Sequence, residues 1–169
     1  MPRSLNTKKM TYALVTGASS GCGYEYARIM AQMGYKLLIV SNEEAIHDKA
    51  LLLRQDFGVE VVSLVRNLGV QDAAKELYDY CKAANIQVEV LINNAGVYHD
   101  CDFLADSEGF NQLIFNLHMH TPAMLMYYFA QDMVQRGKGY ILNMCSITAD
   151  IAVQRLSTYG ATKAFLSNF

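Results

Sequence analysis

Five short apolar runs punctuate the chain, at residues 12–16, 36–40, 59–65, 88–93 and 140–145, and longer amphipathic stretches lie between them. Runs of that length suit strands. Strands alternating with helices form βαβ units, in which helices cover both faces of a parallel sheet. The pattern predicts an α/β fold of Rossmann type, a doubly wound parallel sheet with five strands present. At 169 residues the chain is long enough for one domain with a sizeable core and too short for two. That domain is expected over residues 11–169, behind a lead of residues 1–10 whose Arg3, Lys8 and Lys9 read as a mobile, solvated terminus.

The helices follow from the punctuation. One is expected over residues 22–33 and ends at Gly34, and the next opens at Ser41-Asn42-Glu43-Glu44, where Ser41 and Glu44 have capping-box spacing, and closes at Gly58. Others are expected over 70–84, 110–136 and 157–169. Pro122 has no amide hydrogen and its ring crowds the carbonyl of His118, so the long helix should bend or break near residues 116–121.

Two clusters carry chemistry. Between the first strand and the first helix stands Thr16-Gly17-Ala18-Ser19-Ser20-Gly21-Cys22-Gly23. Glycines there permit a tight turn, let backbone amides approach a pyrophosphate, and leave a helix N-terminus with unpaired amides facing it. A plain glycine connector is the bland alternative; its place between strand and helix favours the dinucleotide. Near the other end Tyr159 and Lys163 are four residues apart, about one helical turn, with Ser146 upstream. An ammonium beside a phenol whose unperturbed pKa is about 10 favours the phenolate, which suits a tyrosine for proton transfer.

Other classes are excluded or disfavoured. The net charge of −2 gives no basic face for nucleic acid. No apolar run approaches the roughly 20 residues that span a bilayer, nothing resembles a signal peptide, and a cytoplasmic protein without membrane partners is expected. Cys22, Cys81, Cys101 and Cys145 form no Cys-x-x-Cys pair. His118 and His120 point in different directions on a helix, so no metal is expected.

Taken in order and spacing, Thr16-Gly17-x-x-x-Gly21-x-Gly23, Asn93-Asn94-Ala95-Gly96, Ser146 and Tyr159-x-x-x-Lys163 resemble the short-chain dehydrogenase/reductase family over nearly the whole chain. The closing stretch, Tyr159 to Phe165, is similar to the branch of ketoacyl and hydroxysteroid reductases. The resemblance implies an oxidoreductase that interconverts a carbonyl and an alcohol by hydride transfer. It gives Gly17, Ser19, Ser20, Gly21 and Gly23 to the phosphates and adenosine ribose, and Asn94, Ala95 and Gly96 to the ribose and the end of the fourth strand. Asn67 falls to the adenine. Asn116, Ser146, Tyr159 and Lys163 become the catalytic set: Tyr159 as general acid/base, Ser146 orienting the substrate oxygen, and Asn116 holding a water that relays protons from Lys163. Asn111 is close enough to compete with Asn116 for that role. Tyr159 and Lys163 also count as cofactor contacts, Lys163 through the nicotinamide ribose.

An acidic residue at the end of strand two would bind ribose hydroxyls and repel an added phosphate, but Val40, Ser41 and Asn42 stand there. NADP is therefore favoured over NAD. Ser41 is a candidate phosphate ligand, although its capping position explains it equally well. Family members continue past the Tyr-x-x-x-Lys helix into further strands and a substrate cover, so the chain reads as incomplete at its C-terminus. Val97, Tyr98, Ile147, Thr148 and Ile151 would line an apolar pocket for a small carbonyl or alcohol substrate. Methionines and aromatics between Met124 and Met133 suggest a core or subunit contact, and a homo-oligomer is expected. The alternatives are a non-catalytic dinucleotide-binding module, which would need neither Tyr159 nor Lys163, and a methyltransferase on a related sheet.

Overall fold

The structure, a computed structural model, describes residues 10–169. The charged lead with Arg3, Lys8 and Lys9 lies outside the described residues. Five strands, β1 (Tyr12–Thr16), β2 (Lys36–Ser41), β3 (Val61–Val65), β4 (Val88–Asn93) and β5 (Tyr140–Asn143), form one sheet in the order β3-β2-β1-β4-β5. Every neighbouring pair is parallel. Strand order reverses between β1 and β4, so the loops after these two strands diverge and leave a crevice above the sheet.

Alternation along the strands divides the core. Leu14, Leu38, Val40 and Leu91 face one way, against Leu77 of helix α3 (Ala73–Ala83) and Leu125 and Phe129 of α5 (Thr121–Arg136). Ala13, Val15, Leu37 and Ile39 face the other, against Ala27 and Ala31 of α1 (Gly21–Gln32) and Ile46, Ala50 and Leu53 of α2 (Ile46–Phe57). Burying one such leucine or isoleucine contributes about 1.5–3 kcal/mol. Alanines on α1 let its backbone ride close to the sheet, which fixes where its N-terminus points.

The capping box expected at Ser41 and Glu44 does not form. Pairing with β3 extends β2 through Ser41, which stands opposite Val65, and the Ser41 carbonyl accepts from the Arg66 amide at 2.7 Å. A turn follows, and α2 starts only at Ile46. The third helix likewise starts at Ala73 rather than residue 70, because Asn67 Oδ1 accepts from the Gly69 amide at 2.9 Å and holds a turn there. The bend expected near Pro122 is a π-helical turn, Asn116–His120, joining α4 (Glu108–Phe115) to α5. Thr121 N–H reaches back to the Asn116 carbonyl and Pro122 takes the first turn of α5, so the helix widens instead of breaking.

Strand β5 ends at Asn143, earlier than expected, and a 3₁₀ turn, Ile147–Ala149, precedes α6 (Ser157–Asn168). Tyr140, Ile141 and Leu142 are exposed along this sheet edge. Among the described residues no helix is long and apolar enough to cross a membrane.

Candidate functional site

The crevice is built around the glycine turn. Gly17 has φ +67°, and a Cβ on it would stand 2.7 Å from Ala95 Cα. A Cβ on Gly23 would stand 2.1 Å from the Gly17 carbonyl oxygen. Only glycine lets the turn, the helix and the loop after β4 close together. Asn94 locks the contact: its side-chain amide donates to the carbonyls of Thr16 (3.0 Å) and Gly17 (3.2 Å). Thr16 Oγ1 accepts from the amides of Asn94 and Ala95, each at 3.0 Å. The Asn94 amide, assigned to a ribose by resemblance, is thus turned onto the glycine loop.

At the N-terminus of α1, Ser20 makes no side-chain capping bond and the first turn carries no acid. The helix's first amides and its positive dipole end are left for an anion. Over this end lies a cleft of about 300 Å³ whose lining includes Gly17, Ser19, Ser20, Gly23, Ser41, Asn67, Asn94, Ala95 and Gly96. Gly21 opens the helix but does not line the cleft. Ser41 donates to Ser19 Oγ at 3.0 Å and accepts from the Glu43 amide at 3.2 Å. Arg66 also lines the cleft, near the β2 corner with Asn42 and Glu43. It follows directly on β3, where a ligand above a parallel sheet is met, and that position was the signal that could have drawn attention to it.

On α6, Tyr159 and Lys163 share a face: the Lys163 ammonium lies 5.7 Å from the centroid of the Tyr159 ring. Lys163 is only 4% exposed and donates to the Met144 carbonyl at 2.8 Å. Burial pushes its pKa down, and the nearby Cys145 thiol works in the opposite sense. The Tyr159 ring stands edge-on between Tyr98 and His118, with centroids 5.6 Å away in each case. Ser146 Oγ, at the head of the 3₁₀ turn, accepts from the Thr148 amide (3.2 Å) and hydroxyl (2.9 Å). A Cβ on Gly160 would lie 3.1 Å from the Thr148 carbonyl oxygen, so α6 packs closely on that turn.

Asn116 stands at the bend of the long helix. It sits in the π turn, but its side-chain amide donates to the Gly69 carbonyl at 2.9 Å and its oxygen accepts from Gln112 at 3.2 Å. The side chain ties the helix to the loop after β3, and the backbone carbonyl, which already accepts from the Thr121 amide, keeps one lone pair for a water. Asn111 is the one that meets α6, accepting from the Thr158 hydroxyl at 2.9 Å. Tyr159, Lys163 and Ser146 stand outside the cleft lining, which ends at Val97, Leu113 and Leu117.

The two histidines go separate ways, His120 to the Gln71 carbonyl (3.1 Å) and His118 into the core. His99, Cys101 and Asp106 bring three potential metal-ligand atoms within 4.8 Å of one another. The His99 nitrogen is already bonded to Asp106, and three ligands fall one short of a closed zinc site.

A glycine-lined cleft at the strand ends, beside a helix bearing tyrosine and lysine one turn apart, defines the arrangement, and residues 11–169 match the short chain dehydrogenase family. The chain belongs to that family. Among its relatives, a very-long-chain 3-oxoacyl-CoA reductase of Laccaria bicolor is 30% identical over 99% of the chain and 50% of its own length. The human very-long-chain 3-oxoacyl-CoA reductase is 28% identical over 94% of the chain and 52% of its own length. The chain spans about half the length of the curated relatives it matches. The expected likeness to the ketoacyl reductase branch agrees with these relatives. Among solved structures, a short-chain dehydrogenase from Sphingobium yanoikuyae in complex with NADPH superposes with a TM-score of 0.86, at 30% identity over 93% of this chain and 61% of that one. A bulky-bulky ketone specific alcohol dehydrogenase from Comamonas testosteroni gives the same score and identity, over 93% and 63%.

Proposed function

We propose that the chain is the dinucleotide-binding and acid/base portion of an NADP-dependent reductase of apolar carbonyl compounds, with Tyr159 as the proton donor. The observation that carries the reading is the Tyr159–Lys163 pair, held on one face of α6 beside the glycine-turn cleft. A bound nicotinamide dinucleotide supplies hydride to the carbonyl carbon. The chain's own groups do the rest.

The first amides of α1 and the glycine turn face the pyrophosphate, and Ser41, Asn42 and Arg66 close the adenosine-ribose corner. The Arg66 guanidinium donates to the Val65 carbonyl at 3.2 Å and pairs with no carboxylate among the described residues, which leaves it free to bind a 2′-phosphate. Charge that grows on the substrate oxygen is met by the Tyr159 hydroxyl, which gives its proton, and by Ser146, which orients the oxygen. The Lys163 ammonium stabilises the phenolate left behind, and solvent returns the proton. In the reverse direction the phenolate takes the alcohol proton.

Tyr98, Ile147 and Ile151 stand exposed around this point, at 62%, 79% and 60%. An apolar acyl or ring substituent would cover them, in keeping with relatives named as long-chain 3-oxoacyl-CoA and bulky ketone enzymes. The exposed Tyr127 and Val134 on α5 are offered to a second subunit. The test is NADPH consumption with 3-oxoacyl thioesters, bulky ketones and small aldehydes. Turnover that favours the apolar substrates supports the reading. Tight NADPH binding with no turnover of any substrate leaves a dinucleotide-binding module instead.

A further inference from the structure

His118 lies in the π-helical turn and is 1% exposed, yet every polar atom of its ring is used. Nε2 accepts from the Val97 amide at 2.9 Å. A backbone amide can only donate, so Nε2 is the bare nitrogen and the proton sits on Nδ1. Nδ1 stands 3.0 Å from Thr162 Oγ1, and that hydroxyl donates to the Tyr159 carbonyl at 2.8 Å. The bonds therefore run one way, from Val97 N–H through the imidazole and the Thr162 hydroxyl to the backbone of Tyr159.

The ring also abuts both partners directly. It stands edge-on to the Tyr159 phenol, and a Cβ on Gly96 would lie 3.0 Å from Nε2, so the loop after β4 is glycine where the imidazole approaches. The ionisable groups that face it are Lys163 and Tyr159, both on α6. Burial, and then the Lys163 charge, push its pKa down to about 3. A neutral ring adds no second cation beside Lys163.

We propose that His118 is a positioning residue, a neutral clamp that fixes the turn of α6 bearing Tyr159 and Lys163 to the loop that follows β4. The inference rests on the oxidoreductase reading. It predicts that His118→Leu and Thr162→Val each lower kcat about tenfold, and that the double variant is no slower than the slower single one, because the two groups act as one device. His118→Asn, which keeps a donor for Thr162, recovers part of the loss. NADPH affinity falls less than kcat, since neither His118 nor Thr162 lines the cleft, although the loop that His118 holds reaches it through Gly96 and Val97. ¹⁵N NMR of the unaltered protein reads the clamp without turnover: the Nδ1–H tautomer, neutral down to about pH 5, is expected. An Nε2–H tautomer, titration near the ordinary value of about 6.5, additive losses, or a kcat loss matched by an equal loss of NADPH affinity would each overturn the clamp. Unaltered protein that binds NADPH but reduces nothing refutes the enzymatic reading, and the positioning role with it. Active protein whose variants keep full kcat refutes the clamp alone.

Discussion

Alanine at Gly23 is the sharpest test of how the cleft is built. The added Cβ would lie 2.1 Å from the Gly17 carbonyl oxygen and 2.5 Å from Asn94 Nδ2. Carbon and oxygen rarely approach within 3.0 Å, so α1 must withdraw from the glycine turn by roughly 0.9 Å, the distance missing from that contact. Such a shift loosens the two bonds from the Asn94 side chain to the Thr16 and Gly17 carbonyls. At about 1 kcal/mol for each bond and a further 1–3 kcal/mol of overpacking, Gly23→Ala should cost about 3–5 kcal/mol. Gly21→Ala is the matched control: it meets no atom within 4 Å, and its φ of +52° adds about 1–2 kcal/mol of backbone strain. Urea unfolding measures both costs, and quenching of protein fluorescence by NADPH measures the cleft. Gly23→Ala should be the less stable by at least about 1 kcal/mol and should bind NADPH at least tenfold more weakly. Equal stabilities, or unchanged NADPH affinity in Gly23→Ala, would refute the close approach of helix, turn and loop.

Two further predictions address cofactor choice and pH. Arg66→Ala should weaken NADPH about tenfold and leave NADH within twofold, as isothermal titration would show; equal losses for both would remove Arg66 from the phosphate corner. His118 holds a folded-state pKa near 3 against about 6.5 unfolded, so between these values the unfolded chain binds the extra proton. Its contribution to stability is present above about pH 6.5 and is lost as pH falls toward 3, by up to about 1.4 kcal/mol per pH unit. Urea midpoints measured from pH 7 to 4 should fall more steeply for the unaltered protein than for His118→Asn, and parallel curves would contradict the burial.

Much of this could be read from residue order. Strands β1 and β4 are apolar runs bounded by glycine and asparagine, and the pairing of Tyr159 with Lys163 needs only one turn of helix. What escaped reading depends on partners distant in the chain. Ser41 looks like a helix cap until β3 pairs with β2 and carries the strand through it. The Asn116 side chain answers to Gly69, and His118 answers to Val97 and Thr162; no local pattern encodes those meetings. Strand β5 is as apolar as an interior strand, yet it stands last in the sheet order, and Tyr140, Ile141 and Leu142 are exposed.

The proposed reduction turns on a single proton, and single-turnover oxidation of NADPH by an apolar ketone measures its transfer most directly. Tyr159→Phe removes the donor and leaves the cleft untouched, so NADPH should bind as before while the rate falls at least about 10²-fold. A phenylalanine variant that reduces the ketone as fast as the unaltered protein would contradict the assignment of Tyr159 as the acid.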